Sequence, residues 1–313
     1  MKKILINDYG SVDVLFDVEE PLPTITENEL LIKLVAAGIN DVDVVIRKNG
    51  FPETVQNQKE LPHSLGNEFS GVVTQVGDNI TKFEVGDHVI GLNSLETYSE
   101  YIVVDENNLV AKVPNDANLL PLGGLTVVSI TAWSAVILNG EVQPDQRVLI
   151  HGGAGGVGSM AIQLAKNAGA YVITTASAKD RAYLESLGAD EVIDYRNEDF
   201  TNIVKDIDLV VHTVDKETQE KSFDVIKSGG KLISVSIVPD QEKVKEYDIE
   251  AKFVRGDVRS ETLASILALY FDKKLLLHIN KLYPFSLENV KFAQVEFEKG
   301  PNRGKRIIEF NNK

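Results

Sequence analysis

Gly153, Gly155 and Gly158 stand in the spacing G-x-G-x-x-G, within Gly153-Ala154-Gly155-Gly156-Val157-Gly158. The strand-like run Arg147–His151 precedes it, and Met160-Ala161-Ile162-Gln163-Leu164-Ala165 opens a helix behind it. That context gives the spacing a chemistry. Gly153 permits a tight turn, Gly155 lets the backbone approach a pyrophosphate, and Gly158 lets helix pack closely on strand. The helix N-terminus then offers unpaired N–H groups to phosphates. The six residues from Gly153 to Gly158 are therefore expected to cradle a dinucleotide.

Such a site distinguishes its cofactors at the end of the second strand, where Asp or Glu holds the ribose 2′-hydroxyl of NAD. Here Val172-Ile173-Thr174-Thr175-Ala176 ends without an acid and is followed by Ser177, Lys179 and Arg181. A hydroxyl and two cations suit a 2′-phosphate, so the expected cofactor is NADP(H). A plainer reading has Ser177 capping the next helix and both cations solvated; the two readings are compatible.

The surrounding elements must position these groups. Leu30 to Ala37, Gly71 to Val76, the turn at Gly86-Asp87, and Glu100 to Val104 read as short strands of a small antiparallel barrel or sandwich. After Pro114 the texture changes. Leu122 to Ile137 is long, apolar and uncharged, and predicts one buried helix. Strands at 147–151, 171–175, 209–213 and 231–236 then alternate with helical segments, the pattern of a doubly wound α/β sheet. Helices over about 261–271 and 286–298 lead to a last strand, 306–310, and the acids Glu296 and Glu298 read as a solvated helix face.

Composition narrows the field. The chain has 313 residues, 43% hydrophobic and 25% charged, with 32 Lys+Arg against 47 Asp+Glu, a formal charge of −15. A surface this acidic argues against nucleic acid and anionic membranes. Cysteine is absent, which removes disulfides, thiolate nucleophiles and cysteine-ligated zinc. No apolar run reaches the ~18 residues of a membrane span, and the apolar run after Met1 is too short for a signal peptide. A cytoplasmic protein is expected.

Further motifs carry a resemblance. Ala36-Ala37-Gly38-Ile39-Asn40 with Asp43, Leu65-Gly66-Asn67-Glu68-Phe69-Ser70-Gly71-Val72-Val73 and Phe83-Glu84-Val85-Gly86-Asp87-His88-Val89 come first. Ile130-Thr131-Ala132-Trp133, the glycine turn, Ser186-Leu187-Gly188-Ala189-Asp190, Ile193-Asp194-Tyr195 and Arg303-Gly304-Lys305 follow in order. Over nearly its whole length the chain resembles the zinc-independent quinone oxidoreductase (zeta-crystallin-like) branch of the medium-chain dehydrogenase/reductase superfamily. The resemblance implies a GroES-like β domain with an inserted Rossmann domain. It places residues 1–118 in the substrate domain, 119–263 in the NADP(H)-binding domain and 264–313 back in the first. A homodimer is implied too.

Metal-dependent members of that superfamily carry Cys and His where this chain has Asn40 and Asn67, so no zinc is expected. Asn40 is the family-matched side chain near the nicotinamide and Thr131 a second catalytic candidate. Tyr195, Thr213 and Ser236 complete the implied cofactor set. Tyrosines that several relatives carry shortly after the Asn are replaced by Asp41, Val45 and Phe51, so no general acid is assigned. The implied activity is NADPH-dependent hydride transfer to a quinone or α,β-unsaturated carbonyl. An enoyl-thioester or enone reductase is one alternative, and a non-catalytic NADPH-binding redox sensor another.

Overall fold

A computed structural model describes residues 1–51, 59–300 and 303–310. The chain divides into two units: Met1–Val127 with Ile279–Pro301 and Lys305–Lys313, and Val128–His278 with Asn302–Gly304. The junctions fall later than the expected 118/119 and 263/264. Leu119–Leu122 packs on strands of the first unit. At the other junction, Gln163 takes both backbone groups of Leu276, at 3.0 and 2.7 Å, which holds the chain in the second unit through that residue.

In the first unit β1 (Lys2–Ile6), β2 (Leu15–Glu19), β3 (Glu29–Ile39), the helix α1 (Asp41–Asn49), β4 (His63–Ser64), β5 (Glu68–Val76), β6 (His88–Leu92), β7 (Tyr101–Asp105), β8 (Val110–Val113) and α2 (Leu119–Leu122) follow in order. β2-β1-β4 form a small antiparallel sheet. β3 is the spine of a larger one, pairing β5 and β7 antiparallel. Its run Leu30, Leu31, Ile32, Leu34, Ala36, Ala37 and Ile39 is buried on both faces. Leu30, Ile32, Phe69, Val73, Val89, Ile102 and Val104 pack into one apolar core there. α1, which periodicity did not reveal, starts immediately after Asn40 and carries a buried Arg47.

The second unit takes in most of α3 (Thr126–Trp133), then β9 (Arg147–His151), α4 (Gly156–Asn167), β10 (Tyr171–Ala176), α5 (Arg181–Ser186), β11 (Glu191–Asp194), β12 (Ile207–His212), α6 (Lys216–Ser222), β13 (Ile226–Ser234), α7 (Gln241–Glu246), β14 (Glu250–Phe253) and α8 (Ser260–Phe271). The six strands are parallel, in the order β11-β10-β9-β12-β13-β14. The first strand in sequence therefore lies between the two halves, and the order reverses between β9 and β12. Ligands of open α/β sheets bind at such a switch point, beyond the carboxyl ends of the strands. The strand interiors Val148-Leu149-Ile150 and Leu209-Val210-Val211 are buried, as doubly covered strands require.

The single helix expected over 122–137 is three pieces: α2, α3 and a π-helical stretch, Ser134–Asn139. Gly123 and Gly124 interrupt it, each costing a helix interior about 1 kcal/mol relative to Ala. The chain returns to the first unit through β15 (Ile279–Pro284), α9 (Leu287–Glu298) and β16 (Lys305–Glu309). There β16 pairs antiparallel with β3 and parallel with β15.

Candidate active site

The glycine turn joins the carboxyl end of β9 to α4. The left-handed residue is Gly152, with φ +76°, one place before the glycine expected to make the turn. A Cβ on Gly153 would strike Thr174 of β10, and one on Gly158 would strike the carbonyl of Gly152. Those two glycines therefore serve packing. At Gly155 a Cβ would meet only the Gly152 carbonyl, 3.4 Å away, so this side of the turn is open. Gly155 is also the N-cap of the twelve-residue α4, whose first N–H groups face outward from it.

Four residues of the expected cofactor set lie at or just past the carboxyl end of a parallel strand. Ser177 follows β10, Tyr195 follows β11, Thr213 follows β12, and Ser236 stands two residues past β13. Thr213 is half-buried and donates its hydroxyl to the His151 carbonyl at 2.7 Å. Ser236 is exposed and bonds Nδ1 of His212 at 3.1 Å. Tyr195 is 51% exposed.

Ser177 is buried and makes no side-chain cap; its Oγ accepts from Arg196 Nη1 at 3.3 Å. Arg196 also lies 5.4 Å from the centroid of the Tyr195 ring. Lys179 and Arg181 are exposed on the turn that follows Ser177. Arg196 is thus a cation of this edge that sequence reasoning missed, although it directly follows the Tyr195 singled out there. Asp194, the acid ending β11, is occupied: it accepts from Asn197 at 2.6 Å and from the Arg196 N–H at 3.3 Å, which hold its carboxyl below the usual range. Asp180 is buried and paired with Arg303.

Beneath this edge lie two buried histidines. His151 Nε2 donates to Ser222 Oγ at 3.0 Å, because that hydroxyl spends its own proton on the Thr218 carbonyl at 2.7 Å. Its Nδ1 then accepts from Thr175 at 3.0 Å. His212 Nε2 donates to the Asp215 carbonyl at 2.9 Å, leaving Nδ1 to accept from Ser234 and Ser236. Burial drives the His151 pKa down to about 3, with His212 adding to the fall, and burial lowers His212 as well. Both are neutral structural side chains.

In the first unit, Asn40 is 6% exposed at the end of β3. Its Nδ2 donates to Glu68 Oε1 at 2.9 Å, and its Oδ1 accepts from Lys305 Nζ at 2.6 Å. Lys305, from β16, also reaches Glu68 Oε1 at 2.7 Å and the Ile39 carbonyl at 3.0 Å. The Val127 N–H takes the other Glu68 oxygen at 2.8 Å. Gly38 makes room, since a Cβ there would collide with the Glu68 carboxylate. A second carboxylate, Asp43, accepts from the Asn40 N–H at 2.8 Å, from Asn67 Nδ2 at 2.7 Å and from Tyr98 Oη at 3.2 Å. Burial pushes Asp43 up to about 6, against the pull of the Asn40 N–H, the Lys305 charge and the other two donors. Thr131, the other catalytic candidate, is half-buried on α3 in the second unit.

Four-coordinate zinc wants thiolate, imidazole or free carboxylate oxygens. Glu68 has both oxygens committed, and the amide oxygen of Asn40 faces an ammonium. His63 donates Nδ1–H to the Ser64 carbonyl and keeps an unpartnered Nε2, but among the described residues it belongs to no group of His, Asp or Glu that could complete a zinc site. A divalent cation would have to displace Lys305. The donor set does not fit zinc. Among the described residues no group of three His, Asp or Glu is placed to hold a metal ion.

Glu298 and Glu296 stay partly in solvent but are paired rather than free. Glu298 pairs with the fully buried Arg47, and Glu296 accepts from Tyr283 at 2.6 Å and Lys281 at 2.8 Å.

Residues 26–115 match the family model of the alcohol dehydrogenase GroES-like domain, and residues 156–259 that of zinc-binding dehydrogenase. The mitochondrial NAD(P)H oxidoreductase RTN4IP1 of Dictyostelium discoideum is 30% identical over 357 aligned positions that span all of both chains. The 2-methylene-furan-3-one reductase of Solanum lycopersicum is 35% identical over 245 residues, 74% of this chain and 61% of its own. Among solved structures, the quinone oxidoreductase of Coxiella burnetii superposes with a TM-score of 0.91 at 31% identity, covering 99% of each chain.

Proposed function

Because this chain belongs to the medium-chain dehydrogenase/reductase superfamily and its relatives are NAD(P)H-dependent oxidoreductases, we propose that it reduces quinones or α,β-unsaturated carbonyl compounds with NADPH and without zinc. The observation that carries the metal-free reading is the Asn40 amide, clamped between Lys305 and Glu68 where a Lewis acid would need free ligands.

The bound nicotinamide supplies the hydride. Gly153, Ala154, Gly155, Gly156, Val157 and Gly158 hold the pyrophosphate on the open side of the turn, at the N-terminus of α4. Ser177, Lys179, Arg181 and Arg196 receive the 2′-phosphate, with Tyr195 beside the adenosine and Thr213 and Ser236 at the neighbouring strand ends. Asn40 donates an N–H to the carbonyl oxygen as negative charge develops there, and Thr131 stays the second catalytic candidate. The proton that completes reduction comes from water.

The enone relative supports carbon–carbon double-bond reduction, and the Coxiella burnetii structure supports quinone reduction. Measured NADPH consumption with a panel of quinones and acyclic enones tests the reading. Turnover of a conjugated carbonyl, preserved in a strong chelator, is expected. Tight NADPH binding without turnover of any panel member would leave a cofactor-binding sensor instead. A homodimer and a cytoplasmic location belong to the same proposal. The homodimer rests on the family resemblance, and the location on the short apolar run after Met1 and the lack of any membrane-length helix among the described residues. Sedimentation and cell fractionation test them.

A further inference from the structure

Lys305 is 3% exposed and spends all three ammonium protons inside the protein, on the Ile39 carbonyl, Asn40 Oδ1 and Glu68 Oε1. A buried ion pair of this kind is a poor source of stability, since an apolar pair of similar volume commonly does as well or better. Its geometry serves another end. The ammonium sits against the oxygen of the Asn40 amide and the carboxylate against its nitrogen. Rotating the amide by 180° would set NH2 against ammonium and oxygen against carboxylate, two repulsive contacts. One orientation is therefore enforced. It commits one Nδ2 hydrogen to Glu68 and leaves the other without a partner among the described residues. A cation on the amide oxygen also draws electron density from nitrogen and strengthens that remaining N–H as a donor.

We propose that Lys305 is a positioning residue for the reduction: it fixes and polarises the Asn40 amide so that the free N–H is presented to the substrate oxygen. The proposal rests on the function given above, and it names a group outside the residues first expected to act. Glu68 is the other jaw of the clamp.

The absence of cysteine makes a clean test possible. Lys305→Cys can be alkylated while unfolded with 2-bromoethylamine, which rebuilds a lysine-length ammonium, or with 1-bromopropane, which gives a neutral side chain of the same length. The double variant Lys305→Met/Glu68→Gln removes both charges together and guards against a failure to fold. With saturating NADPH, the neutral adduct and the double variant are expected to lose about 10- to 100-fold in kcat, the scale of a misplaced or missing transition-state donor. NADPH affinity should stay within about twofold, because the Lys305 side chain bonds Ile39, Asn40 and Glu68 and no residue of the glycine turn. The aminoethyl adduct should recover most of kcat. In protein labelled with 15N asparagine, the Asn40 side-chain resonances should move in the neutral forms and return with the ammonium. Unchanged kcat in folded neutral forms would overturn the proposal and leave the function standing. If the wild type reduces no conjugated carbonyl, the function falls. The Asn40 resonances then decide the clamp, and their indifference to the charge at position 305 would overturn it.

Discussion

Arg303 and Asp180, 123 residues apart, form an ion pair on the second unit: Nε lies 2.7 Å from Asp180 Oδ1, and Nη2 donates to the same oxygen and to the Lys179 carbonyl at 3.2 Å. The pair does two things at once. It neutralises the acid nearest the end of β10, and it seats the next residue, Gly304, whose N–H bonds the Ala154 carbonyl of the glycine turn at 2.8 Å. A buried carboxylate beside a 2′-phosphate would repel it, so under the proposed NADPH assignment the arginine would make this edge tolerable to the cofactor.

Arg303→Ala should therefore act on stability and on cofactor choice. Removing one partner of a buried pair costs ~3–5 kcal/mol. Arg303 keeps 35% of its side chain in water, so the lower end or less is expected here. The unpaired Asp180 should add about 1 kcal/mol of repulsion toward the 2′-phosphate, a loss near fivefold for NADPH and little for NADH. Thermal melts and the two dissociation constants check this. Equal losses for both cofactors would mean that Arg303 acts only through the turn.

Cation replacement sorts Lys179, Arg181 and Arg196 at the strand ends. Arg196 is tied to Ser177, whereas Arg181 stands exposed at the start of α5. A charge-assisted bond contributes ~1.5–3 kcal/mol, and exposure favours the lower end, about tenfold in affinity. Arg196→Ala should weaken NADPH about tenfold and Arg181→Ala by less, with NADH unmoved. The double change of Lys179 and Arg181 to Ala should again cost NADPH tenfold or more, and the gap should narrow at high salt. Wild type binding NADH more tightly than NADPH would sink the assignment.

Local chemistry made the second unit legible: a glycine spacing between strand and helix, then apolar strands at regular intervals, specify a doubly wound sheet. The short, largely polar α6, α7 and β14 stayed hidden there, and so did two finer features. Gly152 carries the left-handed turn because the hairpin of backbone before α4 begins one residue ahead of the motif. The π-helical stretch after Trp133 has no signature in an uncharged apolar run. In the first unit the strands were legible, while α1 was not, its nine residues reading Asp-Val-Asp-Val-Val-Ile-Arg-Lys-Asn. Asn40 and Glu68 could be picked by resemblance, but their clamp could not. It is closed by Lys305, 265 residues from Asn40, and only sheet pairing between β16 and β3 brings them together.

The glycines of the turn should respond differently to the same insult. Gly155→Val points its side chain into open space where phosphates would lie, so the fold should survive with a modest loss from the weaker N-cap. NADPH binding should fall by two orders of magnitude or more, as the backbone can no longer approach the pyrophosphate. Gly158→Val drives a side chain into the carbonyl of Gly152 and the Cα of Gly153, both backbone. That change should lower the melting temperature strongly and cofactor affinity only as a consequence. Calorimetry alongside titration separates the two. Unaltered NADPH binding in a folded Gly155→Val protein would place the cradle elsewhere.

The pH dependence of stability should follow the buried histidines at the acid end. His151 has a native pKa of about 3 against an ordinary value near 6.5, because burial and His212 disfavour its charged form. A depressed value means that the unfolded chain binds a proton the native state refuses. The stabilising contribution is therefore complete above pH 6.5 and is lost progressively as pH falls toward 3. Over that window the effect is on the order of several kcal/mol, and His212, lowered for the same reason, adds to it. Asp43 works in the opposite sense. Its native pKa of about 6 lies above the ordinary carboxylate value, so between pH 4 and 6 the native state binds the extra proton and gains relative to the unfolded chain. Net acid sensitivity should consequently be shallow from pH 6 to 4 and steep below 4. His151→Gln should flatten the steep part, because a glutamine amide can serve Ser222 and Thr175 without titrating. Urea unfolding of wild type and variant at half-unit steps from pH 7 to 3.5 gives the two curves. Parallel curves throughout would show that His151 contributes nothing to acid unfolding.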